Sequence, residues 1–322
     1  EAQLLATMGV TDGDESKLTN GQKALLEMYR FAQNPRLIEQ MKKGFKEKIT
    51  ILVTDTNGHN SDTVRNDFWP CAAEGQIQFS DMYFDRSDAI PLARSVFIHE
   101  AAHTLDKTWQ EYEQPYGPDG AHYANELTKP KAAFMEGWAE FAQMYYSADD
   151  ERNTREAVQK IKIEGREAGQ YTEVSPQELT GMQLLSVEGI NALIFLDLSR
   201  SLPNGSDAVF DAFMATNQRD RSLATVLKHL AEKYPAQIGA IAQIVDKNTC
   251  GKLTGPELVQ LLGNSANLRE YLAQREEARR AAAAAAASAT VKEELMTVGS
   301  PQGQPGSVTP AQVEGGNPYA DY

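Results

Sequence analysis

Pro91-Leu-Ala-Arg-Ser-Val-Phe-Ile-His99-Glu-Ala-Ala-His103-Thr-Leu-Asp106 is the stretch on which the reading of this chain turns. Pro91 suits a first helical turn, where its missing N–H costs nothing. The spacing predicts a helix through Phe97, His99 and His103 to about Tyr112. Positions four apart lie one above the other on a helix, so both imidazoles can reach a single metal ion. Glu100 sits one position round, where it can take a proton from a water while the metal polarises a carbonyl. Val96, Phe97, Ala101, Ala102 and Leu105 supply an apolar side to hold such a helix in a core.

A catalytic zinc site needs a third protein ligand and an open fourth position. Two carboxylates compete for the third place. Glu136 lies in Phe134-Met-Glu-Gly-Trp-Ala-Glu-Phe141, inside a helix expected over roughly 131–147, with Glu140 one turn further on. A carboxylate there can orient a ligand histidine. Asp119, in Tyr116-Gly-Pro-Asp-Gly120, is the rival, although a Pro-Asp-Gly turn needs no function to explain it. Histidine at the position three beyond Asp106 would signal a different zinc class; Trp109 stands there.

His-Glu-Ala-Ala-His-Thr-Leu-Asp106 followed by Glu136-Gly-Trp-Ala-Glu140 resembles the gluzincin peptidases, and within them the lethal-factor-like group, over roughly residues 75–147. The resemblance implies a zincin-like core hydrolysing peptide bonds through zinc-activated water. It makes His99, His103 and Glu136 the Zn2+ ligands, Glu100 the general base, and Asp106 and Glu140 supports for the ligands. The group carries a tyrosine seven residues before its glutamate ligand; here that place is Lys129. Tyr123 and His122 are the nearby donors able to serve a developing oxyanion. The aspzincins, which take an aspartate from a loop after the histidine helix, fit less well, because their G-T-x-D core is missing around Asp119. Peptidases of this kind are often secreted, which makes an extracellular location and a protein or peptide substrate the expectation. An extended substrate would pair with an edge strand beside the cleft, and residues 75–84 are the natural candidate if they are not interior.

Around this centre the chain reads as α+β with helix dominant. Residues 1–18 are polar and expected to be an irregular lead-in. Thr19-Asn20 caps a helix over 22–33, and a second follows at 36–45. The β-branched run 48–55 and the alternating run 75–84 predict strands. Further helices are expected at 150–168, 177–201, 206–216, 219–233 and 235–246. The catalytic core is assigned to 19–202, a helical region to 203–265, an alanine-rich helix to 266–297 and a disordered Gly/Pro/Ser/Gln tail to 298–322.

A second motif is Asp246-Lys-Asn-Thr-Cys-Gly-Lys-Leu-Thr-Gly-Pro-Glu257, which resembles an EF-hand calcium loop. Asp246, Asn248, the backbone of Lys252, Thr254 and Glu257 fall at ligand positions, and Gly251 at the sharp turn. Cys250 stands where an oxygen ligand is expected. The competing reading is an ordinary helix–turn–helix. Ca2+ is therefore a second candidate cofactor, and a calcium-binding or scaffold protein with an inactive zinc site is an alternative function. A zinc hydrolase acting on a non-peptide amide is another.

Composition bounds the rest. A chain of 322 residues with 41% hydrophobic and 24% charged residues can build a full core. The formal charge of −14 argues against general nucleic-acid binding, which needs a basic face. No apolar run is long enough to span a bilayer. The two cysteines, Cys71 and Cys250, permit one disulfide and cannot make a thiolate zinc site.

Overall fold

A computed structural model of the chain describes residues 1–44, 50–54, 71–73, 76–80, 89–105, 123–165 and 169–298. Asp106, Asp119, His122 and the tail beyond 298 lie outside the described residues. The chain separates into two units, Glu1–Leu272 and Ala273–Tyr322. Among the described residues no helix is long and apolar enough to cross a membrane.

The elements run α1 (Ala2–Thr7), α2 (Asn20–Ala32), α3 (Pro35–Gly44), β1 (Thr50–Thr54), β2 (Cys71–Ala73), β3 (Gln76–Ser80), α4 (Ala89–His103), α5 (Pro130–Tyr146) and α6 (Ala148–Ala157). They continue with β4 (Ile161–Glu164), β5 (Tyr171–Val174), α7 (Gly181–Leu184), α8 (Glu188–Ser201), α9 (Ser206–Ala215), α10 (Leu223–Lys233), α11 (Ile238–Asn248), α12 (Gly255–Leu262) and α13 (Ala266–Val298). Helix dominates, so the α+β class holds. Local chemistry sets many of the boundaries. At α2 the Thr19 hydroxyl accepts from the Gln22 amide while the Gln22 side chain accepts from the Thr19 amide, a capping box that satisfies two otherwise orphaned donors. The same reciprocal device starts α7, α10 and α12.

Among the described residues β1, β3 and β2 form one sheet in that order, β1 parallel and β2 antiparallel to β3. β3 is thus interior, with Ile77 fully buried. This corrects, for the described part of residues 75–84, the expectation of a free edge for an extended peptide, because Gln76–Gln78 is paired on both sides. A second correction concerns 150–168. The helix there stops at Ala157, and Ile161–Glu164 pairs antiparallel with Tyr171–Val174. Ile161 is drawn into the core, while the Lys162 carbonyl accepts from the Leu127 amide at 2.9 Å. Tertiary burial and pairing outweigh the weak helical pattern of this stretch. The lead-in is not irregular either: α1 forms, and Leu5, Val10, Leu18 and Leu26 bury one another in a small cluster. α4 ends at His103, earlier than the pattern suggested.

The main core centres on α5, which packs against both α4 and α8. Phe134, Trp138 and Phe141 recur at i, i+4 and i+7 and join Phe195 of α8 and Phe210 and Phe213 of α9. Trp138 stacks on Phe213 with centroids 3.7 Å apart and planes 9° off parallel. Each buried aromatic of this size is worth about 2–3 kcal/mol of transfer free energy. Residues 203–265 therefore share the core of the preceding helices. α5 lies so close to α8 that a Cβ on Gly137 would sit 2.5 Å from Asn191 Cβ and 2.7 Å from the Glu188 carbonyl oxygen. Only glycine allows this crossing.

Candidate metal centre

The helical spacing of α4 places His99 and His103 on one face, with ring centroids 4.8 Å apart and Nε2 atoms 3.1 Å apart. α5 brings Glu136 across to them. Its Oε2 lies 3.2 Å from His99 Nε2 and 3.1 Å from His103 Nε2. With about 100° of rotation per residue, Glu136 and Glu140 stand roughly 200–240° round α5 from Phe134. The aromatic face therefore anchors the helix in the core while the carboxylate face looks toward α4. His103 and Glu136 are buried, and His99 keeps 20% of its side chain exposed, so solvent reaches the trio chiefly at His99.

Three donor atoms make a near-equilateral triangle with sides of 3.1–3.2 Å. Ligands about 2.0–2.1 Å from a tetrahedral zinc are separated by about 3.3–3.4 Å, so the triangle matches three corners of such a site with little adjustment. Hydrogen bonding accounts for the arrangement less well. If both Nε2 atoms donate to Glu136, two N–H groups face each other at the third side of the triangle. A cation at the centre removes that conflict and meets the desolvation cost of a buried carboxylate. His99, His103 and Glu136 are thus close enough to hold a metal ion. The donor set, two imidazoles and one carboxylate, suits zinc and other first-row divalent ions alike.

Glu100 is buried on α4 and is not one of the three residues whose ligand atoms converge. Glu140 Oε1 accepts a 2.7 Å hydrogen bond from Thr154 of α6. Tyr123 is 43% exposed, its ring edge-on to Tyr171 at 5.8 Å and beneath the Lys162 ammonium at 4.0 Å. Those contacts seat the phenol on the β4–β5 hairpin.

Several residues that shape the site escaped sequence reasoning. Gly137 had a legible signal, a glycine inside a strong helical pattern next to a candidate ligand. Thr154 and Arg221 had none, since each acts through a partner distant in sequence. Arg221 is 2% exposed, and its Nη1 reaches the Leu105 carbonyl just beyond α4 at 3.5 Å.

The calcium reading of Asp246–Glu257 needs correcting. Asp246 and Asn248 belong to α11, not to a loop. Asp246 Oδ2 accepts from the Tyr271 hydroxyl, and Asn248 Nδ2 donates to Asp197 Oδ2 at 3.1 Å. Glu257 closes the capping box of α12, accepting from the Thr254 amide and hydroxyl at 2.6 and 2.9 Å. Cys250 and Gly251 make the turn with φ of 53° and 68°, and Cys250 is exposed as a free thiol. Asp246 and Asn248 are thus drawn to partners outside the stretch while Thr254 and Glu257 bond each other as a helix cap, the pattern of a helix–turn–helix.

Compared with protein-family models, with curated proteins and with solved structures, the chain matches none.

Proposed function

We propose that this chain is a zinc-dependent metalloendopeptidase of gluzincin type, acting on protein or peptide substrates outside the cell. The observation that carries the reading is the convergence of His99, His103 and Glu136 within 3.2 Å, from two helices whose sequence motifs have the matching order. The three residues would hold the metal. When bound, zinc supplies a Lewis acid that polarises the scissile carbonyl and makes water acidic enough to be deprotonated near neutral pH. Glu100 takes that proton and passes it to the departing amine. His99, the partly exposed member of the trio, marks the side from which substrate approaches. Tyr123 is assigned as a donor to the developing oxyanion.

The test is metal content and proteolysis of a denatured protein, on the wild type and on Glu136→Ala and Glu100→Gln. One zinc per chain, lost in Glu136→Ala but kept in a proteolytically dead Glu100→Gln, is the expected result. Absence of zinc from wild type purified without chelators would reject the reading and leave a scaffold protein. Zinc with hydrolysis of small amides only would move the substrate to the non-peptide class.

A further inference from the structure

We propose that Arg221 is a positioning residue of this metal centre, one that sets the spacing between the two ligand-bearing helices. The proposal rests on the metal-site reading above. Arg221 is remote from the motif in sequence, yet its groups touch both halves of the site. Its Nη1 donates to the carbonyl of Leu105 at 3.5 Å, two residues past His103, near the C-terminal end of α4, where the helix dipole favours a cation. Its own carbonyl accepts from Lys131 Nζ, in the first turn of α5 and five residues before Glu136. Its guanidinium lies 4.2 Å from the centre of the Phe213 ring, on which Trp138 stacks at 3.7 Å. Trp138 is two residues after Glu136, on the opposite face of α5.

The guanidinium is itself held in place. Nε and Nη2 donate to the Thr216 hydroxyl and carbonyl, each at 3.2 Å, and the Thr216 hydroxyl donates to the Phe213 carbonyl at 2.7 Å. Arginine stays charged at any accessible pH, and burying it is costly unless its fork of donors is used. Here the fork spans the end of α4 and the segment after α9, while its face covers the ring that supports α5. Arg221 thereby links the end of the helix carrying His103 to the first turn of the helix carrying Glu136. A lysine can replace the charge but not the planar, multiply bonded geometry.

The experiment measures zinc affinity by chelator competition and the visible spectrum of the cobalt-substituted protein, for wild type, Arg221→Leu and Arg221→Lys. Far-UV circular dichroism of the metal-free proteins serves as the folding check. We expect a folded Arg221→Leu to bind zinc about tenfold to a hundredfold more weakly, with altered cobalt bands. Arg221→Lys should fall between. A folded Arg221→Leu with wild-type affinity and spectrum would overturn the role of Arg221 while leaving the metal centre intact. If Arg221→Leu does not fold, Thr216→Val, which removes one acceptor at a half-buried position, decides: an affinity loss of about twofold to tenfold supports the proposal, and none overturns it. A wild type that takes up neither zinc nor cobalt rejects the metal centre, and this proposal with it.

Discussion

In the helix pair carrying His99, His103 and Glu136, three donor atoms come within 3.2 Å of one another. In Asp246–Glu257, a stretch equally rich in ligand-type residues, Asp246 is bonded to Tyr271, Asn248 to Asp197, and Glu257 to Thr254. The difference lies in where the geometry is stored. Two histidines four apart carry their spacing inside the helix, so any fold that keeps the helix keeps the pair. An EF-hand loop carries its spacing in a particular backbone path of twelve residues, and that path is lost as soon as α11 extends through Asn248. Competing bonds then complete the outcome. Glu257 gains a capping box, and Asn248 joins a network in which Asp197 also accepts from Arg155 at 2.7 Å.

The contrast is broken or upheld most sharply by metal titration. His103→Ala should weaken zinc binding about a hundredfold to a thousandfold, since one of three ligands is lost, while Asp246→Ala should leave it unchanged. Isothermal titration with Zn2+ and Ca2+ on both variants measures this. Heat release with Ca2+ that disappears in Asp246→Ala would restore the calcium reading.

A pair of identical substitutions compares the packing of the two regions. Gly137→Ala pushes a methyl to 2.5 Å from Asn191 Cβ and should cost about 3 kcal/mol. Gly255→Ala meets nothing nearer than Leu272 at 4.0 Å and should change stability by less than about 0.5 kcal/mol. Urea denaturation of both variants provides the measurement, and equal losses would show that α5 and α8 do not cross as closely as described.

The smallest effect concerns the charge network that withdraws Asn248. Hydrogen bonds from Arg200, at 2.7 and 2.6 Å, and from Arg155 hold the Glu151 carboxyl at about 2, well below the ordinary carboxylate value. Burial pushes Asp197 upward, but bonds from Asn248 and Arg155 outweigh it and leave that carboxyl lowered. A folded pKa below the unfolded one gives stability that is fully present above the unfolded value and lost as pH falls through the folded value. For Glu151 the loss therefore begins near the ordinary carboxylate pKa and continues toward about 2, amounting to about 1–2 kcal/mol after solvent screening. The stability difference between wild type and Glu151→Gln should be smaller at pH 3 than at pH 7. A constant difference between them would remove the network as the reason Asn248 is unavailable.

Much of this molecule is readable from short-range pattern. The α+β class, a helix cap at Thr19-Asn20, strands within 48–55 and 75–84, the helix with His99 and His103, and the helix with Glu136 follow from spacings of two and three to four residues along the chain. Periodicity and caps are local, and local rules suffice for them. What only the tertiary structure decided is everything that depends on a partner far away in sequence. It placed β3 inside its sheet, turned Ile161–Glu164 into a strand, aimed Arg221 at Leu105, and brought Glu136 to within hydrogen-bonding distance of both histidines. The physical reason is that a helix specifies which of its residues share a face, whereas the partner of that face is set by close packing between elements. Here the decisive contacts are the Gly137–Asn191 crossing and the stack of Trp138 on Phe213.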